Sequence, residues 1–165
     1  MITFKQYVEN NQEVMYHVTS KERLPNILLN GLKIGSEWGF SEGAKEVIEK
    51  IYGTRPIFLS YKPWPNLTQQ QLNEGILLQV NVSGLPLVAD IPSLADRGAY
   101  YDDAEPSMYW REGKEPAELS RWIDEEGQIY FEDIITPGPM ADAIIAFTGT
   151  AAVIQDIPTN RITKI

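Results

Sequence analysis

Residues 16–32 read Tyr-His-Val-Thr-Ser-Lys-Glu-Arg-Leu-Pro-Asn-Ile-Leu-Leu-Asn-Gly-Leu. The start of this stretch belongs to a short strand predicted over 14–18. Leucine and isoleucine then recur at helical spacing over 20–30, and Gly31 follows as a usual helix-ending residue. Because Pro25 lacks an amide hydrogen and is tolerated in the first helical turn, we expect the regular helix to begin just before it. The stretch therefore predicts a strand followed directly by a short helix.

The two polar side chains at the end of this strand, His17 and Thr19, are candidate site residues. They are two residues apart, so they face the same side if the strand continues through both. A neutral imidazole has one donor and one acceptor nitrogen, which suits the hydroxyl groups of a ribose. Thr19 has a second interpretation, because Thr19 and Glu22 have the spacing of a capping box at a helix start.

The composition is that of an acidic globular chain without cysteine. Its 165 residues are 43% hydrophobic with a formal net charge of −9, which predicts a single domain over 1–165. The absence of cysteine excludes disulfides, thiolate zinc sites and a cysteine nucleophile. With one histidine in the chain, no metal site is predicted. The acidity favours a protein or small-molecule partner over nucleic acid, and the lack of a long apolar run predicts a cytoplasmic protein without membrane association.

The remaining hydrophobic pattern predicts an α+β fold rather than a doubly wound parallel sheet, because turns rather than regular helices separate most strands. Further helices are predicted over 2–10, 44–52, 66–72 and 117–122. Further strands are predicted over 57–60, 76–82, 85–89, 128–134, 144–148, 151–154 and 161–164. Residues 98–116 show no clear period and are predicted as a long loop. Neither a GxGxxG motif nor a Walker phosphate loop is present, so nucleotide binding would need another scheme.

Residues 16–32 resemble the opening motif of ADP-ribosyltransferase-fold proteins, in which a strand ending in His-x-Thr precedes Leu-x-x-Ile-Leu-x-x-Gly-Leu. The likeness is to the DarT-type and RNA 2′-phosphotransferase-type branches. DarT-type proteins also have Leu-Pro-x-Ile-Leu in this helix, but they tend to have Asn where this chain has Arg23. Two weaker likenesses are residues 55–63, which resemble the next strand of that fold, and residues 156–162, which resemble an Ile-Pro-x-x-x-Ile turn near its end.

This resemblance implies a split, mostly antiparallel β core with NAD as co-substrate in the cleft between two half-sheets. ADP-ribose would be transferred to a protein or other macromolecular acceptor, and analogy alone implies a toxin-like, phage or defence-related effector. His17 and Thr19 would orient NAD. Ser60 and Tyr61 would line the nicotinamide pocket, and Arg55 would match a functional arginine. Their ordinary interpretations are strand-ending residues and a surface charge.

The resemblance also implies a glutamate on a late strand, whose charge stabilises an oxocarbenium-like transition state. Glu132 is one candidate, because it would share a face with Gln128 in an ideal strand over 128–134. Glu126, at the mouth of that strand, is another. If Gln128 itself occupies the position of that glutamate, the domain would be a weak or inactive transferase. Two alternatives stay open: a non-catalytic nucleotide- or protein-binding module on the same fold, and an RNA 2′-phosphotransferase-like reaction, which the acidity disfavours.

Overall fold

The computed structural model describes residues 14–36, 42–63, 73–102 and 104–165. The helices predicted over 2–10 and 66–72 lie outside these ranges. The described strands are β1 (Val14–Ser20), β2 (Ile57–Ser60), β3 (Gly75–Asn81), β4 (Leu87–Ala89), β5 (Tyr100–Asp102), β6 (Ser107–Tyr109), β7 (Gln128–Tyr130), β8 (Thr150–Val153) and β9 (Ile162–Lys164). The α-helices are α1 (Leu24–Asn30), α2 (Glu42–Tyr52), α3 (Ile91–Ala95), α4 (Phe131–Ile134) and α5 (Pro139–Thr148). Short 3₁₀ turns lie at Ala117–Leu119 and Thr159–Arg161. The predicted α+β class and antiparallel character are confirmed.

The larger sheet has six strands in the order β4-β8-β2-β1-β3-β9, and its registered pairs are antiparallel. β1 pairs with β3 along its whole length, from Val14↔Asn81 to Ser20↔Gly75. Between β1 and β2, by contrast, Tyr16↔Ser60 is the single registered pair among the described residues. We call the boundary between β1 and β2 the junction. On the two sides of the junction lie β4-β8-β2 and β1-β3-β9, and we call these two groups of strands the half-sheets of this one sheet.

The smaller sheet has three strands in the order β5-β6-β7. Two of them lie within residues 98–116, so the prediction of a long loop there is wrong. Met108 and Ile129 are opposite each other on β6 and β7, and both are buried in the core that this sheet shares with β4 and β8. The core contacts of Met108 and Ile129 stabilise β6 and β7, although each three-residue strand is too short for its period to be recognised in the sequence.

The strand predicted over 128–134 ends at Tyr130, and α4 follows it. Phe131 and Ile134 are both buried, and their three-residue separation is the spacing of a helix face rather than a strand face. Glu132 therefore lies on a helix, so the prediction that it shares a strand face with Gln128 is wrong.

The strand predicted over 144–148 is the second half of α5. Pro139 lies in the first turn of this helix, and Gly149 ends it in the left-handed conformation with φ 76°. Ala141, Ile144 and Thr148 are buried at helical spacing, so they form one packed face.

The strand and helix predicted from residues 16–32 are confirmed, with Pro25 in the first turn of α1. Thr19 does not cap this helix: it lies within β1, and the N-cap residue Arg23 makes no side-chain capping bond. Gly31 ends α1 with φ 85°, and its N–H donates to the Ile27 carbonyl. A Cβ on Gly31 would meet the Ile157 carbonyl oxygen, so glycine permits the bridge Leu32↔Ile157.

Two hydrophobic clusters cover the two faces of the larger sheet. One contains Met15, Leu59 and Leu78 from the strands together with Ile27 of α1 and Ile145 of α5. The other contains side chains of β4 and β8 together with α2, α3 and the smaller sheet, and Phe58 packs against it. Phe58 and Leu59 are consecutive, so their side chains point to opposite faces. Within the described ranges, no helix has both the length and the apolar character needed to span a membrane.

Candidate functional site

The imidazole of His17 bridges the junction. Its Nδ1 lies 2.9 Å from the backbone carbonyl oxygen of Phe58 on β2. Because a carbonyl only accepts, Nδ1 carries the hydrogen and donates it. In the neutral ring this leaves Nε2 as an acceptor. The side chain thus makes a second connection between the two half-sheets beside the one backbone pair, Tyr16↔Ser60.

The charge state of His17 follows from its surroundings. Burial of the ring lowers its pKa below the ordinary value of 6.5, and this effect is larger than the opposing one of the hydrogen bond to Phe58. The positive charge of Arg23 lowers the pKa further. His17 is therefore neutral at physiological pH, with a fixed tautomer.

Thr19 shares the strand face of His17, as the two-residue spacing predicts. Their cross-strand partners on β3 are Ile76 and Leu78. Thr19 is 2% exposed, so its hydroxyl lies inside the protein beside the histidine. The structure thus keeps together the two residues that the sequence pairs.

Arg23 is a residue at this site that the sequence prediction did not include. Its N–H donates to the Ser20 carbonyl at 3.3 Å, which closes the turn that follows β1. Its guanidinium Nη1 donates to Ser36 Oγ at 2.6 Å, and its charge reaches His17. The available signal was the departure from the DarT-type motif, in which this position tends to be Asn.

Arg55 lies two residues before β2, and Ser60 is the last residue of that strand. The Nε of Arg55 is 2.6 Å from Oε1 of Glu49, so α2 holds this guanidinium in an ion pair. Ser60 is buried beside the junction, and its Oγ accepts the Lys62 N–H at 3.1 Å. Ser60 therefore lies next to the junction, whereas the charge of Arg55 is compensated by the Glu49 carboxylate of α2.

Tyr61 belongs to the hydrophobic cluster that contains Met15, and it is 3% exposed. Its N–H donates to the Gly149 carbonyl at 2.9 Å. Burial raises the pKa of its hydroxyl, and the negative charge of Asp142 on α5 raises it further. Burial also raises the pKa of Asp142. A carboxylate thus lies within electrostatic reach of Tyr61. The sequence prediction missed it because α5 was not recognised.

The three residues considered for the glutamate position lie away from the larger sheet. Gln128 is on β7, where its Nε2 donates to Asp102 Oδ2 at 2.7 Å and to Ser107 Oγ at 3.3 Å. Glu126 is exposed in the turn before β7, and Glu132 is exposed on α4. The two late strands of the larger sheet, β8 and β9, read Thr-Ala-Ala-Val and Ile-Thr-Lys and carry no carboxylate. The structure therefore does not bring the predicted glutamates onto the sheet of His17.

Comparison of the chain with family models, curated proteins and solved structures finds no match. Within the described part of the chain, no three His, Cys, Asp or Glu side chains are grouped to hold a metal ion. The junction itself presents a neutral imidazole, a buried threonine hydroxyl and a nearby guanidinium. This set suits a ligand that combines hydroxyl groups with negative charge.

Proposed function

We propose that this chain is an NAD-dependent ADP-ribosyltransferase that binds NAD at the junction. The observation that carries the proposal is the hydrogen bond from His17 Nδ1 to the Phe58 carbonyl across the boundary of the two half-sheets. This bond fixes the tautomer in which Nε2 accepts, so the ring can receive a hydrogen bond from a ribose hydroxyl. The likeness of residues 16–32 to the His-x-Thr motif supports the same assignment.

In the proposed reaction, the bond between nicotinamide and ribose breaks and its electron pair leaves with nicotinamide. A nucleophile of the acceptor forms the new bond to the ribosyl carbon and loses a proton. His17 and Thr19 orient the substrate, and Tyr61 flanks the nicotinamide. A carboxylate stabilises the positive charge that develops on the ribose. Glu132 and Glu126 are the candidates from the sequence, and Asp142 is the carboxylate near Tyr61.

Isothermal calorimetry with NAD on the wild type and on His17→Ala tests the binding step. We expect the variant to lose at least about tenfold in affinity, because it removes the whole imidazole and with it the Nε2 acceptor for the ribose hydroxyl. Val18→Ala is the matched control, since Val18 is the next residue on β1 and faces the opposite side. A folded wild type that binds no NAD, or a His17→Ala protein that binds it equally well, contradicts the proposal.

A second candidate function is a non-catalytic nucleotide-binding module. The observation that favours it is the absence of a carboxylate from β8 and the position of Glu126 and Glu132 away from the larger sheet. Nicotinamide release by the wild type, Glu126→Gln, Glu132→Gln and Asp142→Asn separates the two functions. A transferase should lose about 10²-fold or more in rate at one of these positions. A binding module should release no nicotinamide in any of the four proteins.

A further inference from the structure

Arg23 is held in a defined position beside the junction. The turn between β1 and α1 is closed by the hydrogen bond from its N–H to the carbonyl of Ser20, the residue that follows the buried Thr19. Ser36, on the turn after α1, accepts a hydrogen bond from its guanidinium. The contact with Ser20 thus fixes the backbone of Arg23, and the contact with Ser36 fixes its guanidinium. The orientation of the side chain therefore does not depend on a ligand.

The positive charge of Arg23 lies in a chain that is acidic as a whole. With 23 acidic and 14 basic residues, the molecule as a whole repels anions. Arg23 nevertheless provides a positive charge within reach of His17. An anionic group bound beside the imidazole of His17 would therefore also lie within reach of the Arg23 charge.

We propose that Arg23 binds the pyrophosphate of the dinucleotide whose ribose hydroxyl is received by His17. This inference rests on the proposed function and assigns to it a phosphate-binding residue. A guanidinium presents several N–H donors in one plane, which matches two oxygens of a phosphate group. Because Ser36 already orients the guanidinium, phosphate binding loses less side-chain entropy than it would with a mobile lysine.

The experiment compares NAD binding by the wild type, Arg23→Gln and Arg111→Gln in calorimetry at low and high salt. Arg111 lies after β6 and stacks on Tyr100 of the smaller sheet, so its loss changes the net charge equally at another place. We expect Arg23→Gln to weaken binding at least about tenfold and to reduce its salt dependence. Arg111→Gln should bind NAD as the wild type does.

Arg23→Lys and inorganic pyrophosphate distinguish phosphate binding from a structural role. The lysine variant keeps a charge but not the planar donors, so we expect an affinity between those of the wild type and Arg23→Gln. Pyrophosphate should compete with NAD for the wild type and fail to compete for Arg23→Gln. Equal affinities of the wild type and Arg23→Gln, with binding still dependent on His17, overturn this inference alone. No NAD binding by the wild type overturns the proposed function as well.

Discussion

At the scale of single residues, His17 shows how one side chain can link two strands of a sheet and still leave one ring nitrogen as a hydrogen-bond acceptor. Its Nδ1 donates a hydrogen bond to the Phe58 carbonyl. The bond fixes which nitrogen carries the hydrogen, and burial keeps the ring neutral. A protonated ring would have two donors and no acceptor, so the accepting role depends on the lowered pKa.

Gly31 combines a positive φ with a close backbone contact, so a side chain at this position should destabilise the fold. We expect Gly31→Ala to lower the free energy of unfolding by more than about 2 kcal/mol, because alanine is strained at φ 85° and its Cβ meets the Ile157 carbonyl. Gly84→Ala is the matched control, since Gly84 has φ 75° with open space around the added carbon. It should cost about 1 kcal/mol. Urea unfolding measures both, and equal losses would contradict a role for the close approach.

At the scale of elements, the Tyr52 hydroxyl joins α2 to the connection between β4 and α3. It donates to the Ala89 carbonyl at 2.7 Å and accepts the Ile91 N–H at 2.9 Å, both in the interior. Tyr52→Phe leaves these two backbone groups without their partner, so we expect a loss of about 1–3 kcal/mol in thermal or urea unfolding.

Tyr130→Phe is the control for this substitution, because the Tyr130 hydroxyl bonds to Glu105 at the surface. Removing that bond should change stability by less than about 0.5 kcal/mol. If both phenylalanine variants unfold at the wild-type midpoint, the Tyr52 bridge contributes nothing to the packing of α2.

The elements that the sequence predicts correctly are those with a strong local signal. In α1, Pro25 and Gly31 mark the two ends of a regular hydrophobic pattern. The same two signals, Pro139 and Gly149, mark α5. There the two consecutive isoleucines at 144–145 have a high strand propensity, which conflicts with the end signals of the helix. In β5 and β6 no local signal suffices, since three residues cannot establish a period.

Within the candidate site, the pairing of His17 with Thr19 is visible in the sequence, whereas contacts between distant residues are not. His17 and Thr19 share a strand face because of a two-residue spacing, which is visible in the chain. The partner of His17 is a backbone carbonyl 41 residues away, and a carbonyl leaves no trace in residue identity. The proximity of Asp142 to Tyr61 depends on where α5 packs, so it follows from tertiary structure alone.

At the scale of the whole molecule, the lowered pKa of His17 makes stability depend on pH. The unfolded chain takes up a proton near pH 6.5, whereas the folded protein does so only at lower pH. His17 therefore lowers the free energy of unfolding as the pH falls below 6.5, and the loss is absent above that value. Asp90 acts in the opposite direction: burial raises its pKa above 3.8, so its cost at neutral pH disappears as the pH falls towards 3.8.

His17→Gln isolates the histidine contribution, because it leaves the Asp90 contribution in place. We expect the stability advantage of the wild type over this variant to shrink between about pH 7 and about pH 5 in urea unfolding. As His17 is the only histidine, its single imidazole NMR signal gives the folded pKa directly. A constant difference between the two proteins across this range, or an imidazole that titrates above 6.5, contradicts the prediction.

The junction also determines how the molecule should open. β1 pairs with β3 along its whole length, whereas the described residues show one registered backbone pair with β2 beside the hydrogen bond of the His17 imidazole. Native-state hydrogen exchange commonly reveals such boundaries as separate cooperative units with different opening free energies. A nucleotide bound across the boundary stabilises only conformations in which the two units are closed, by an amount set by its concentration relative to Kd. Ligand binding would then be measurable as slower amide exchange in both half-sheets at once, and this coupling would be lost together with the imidazole of His17.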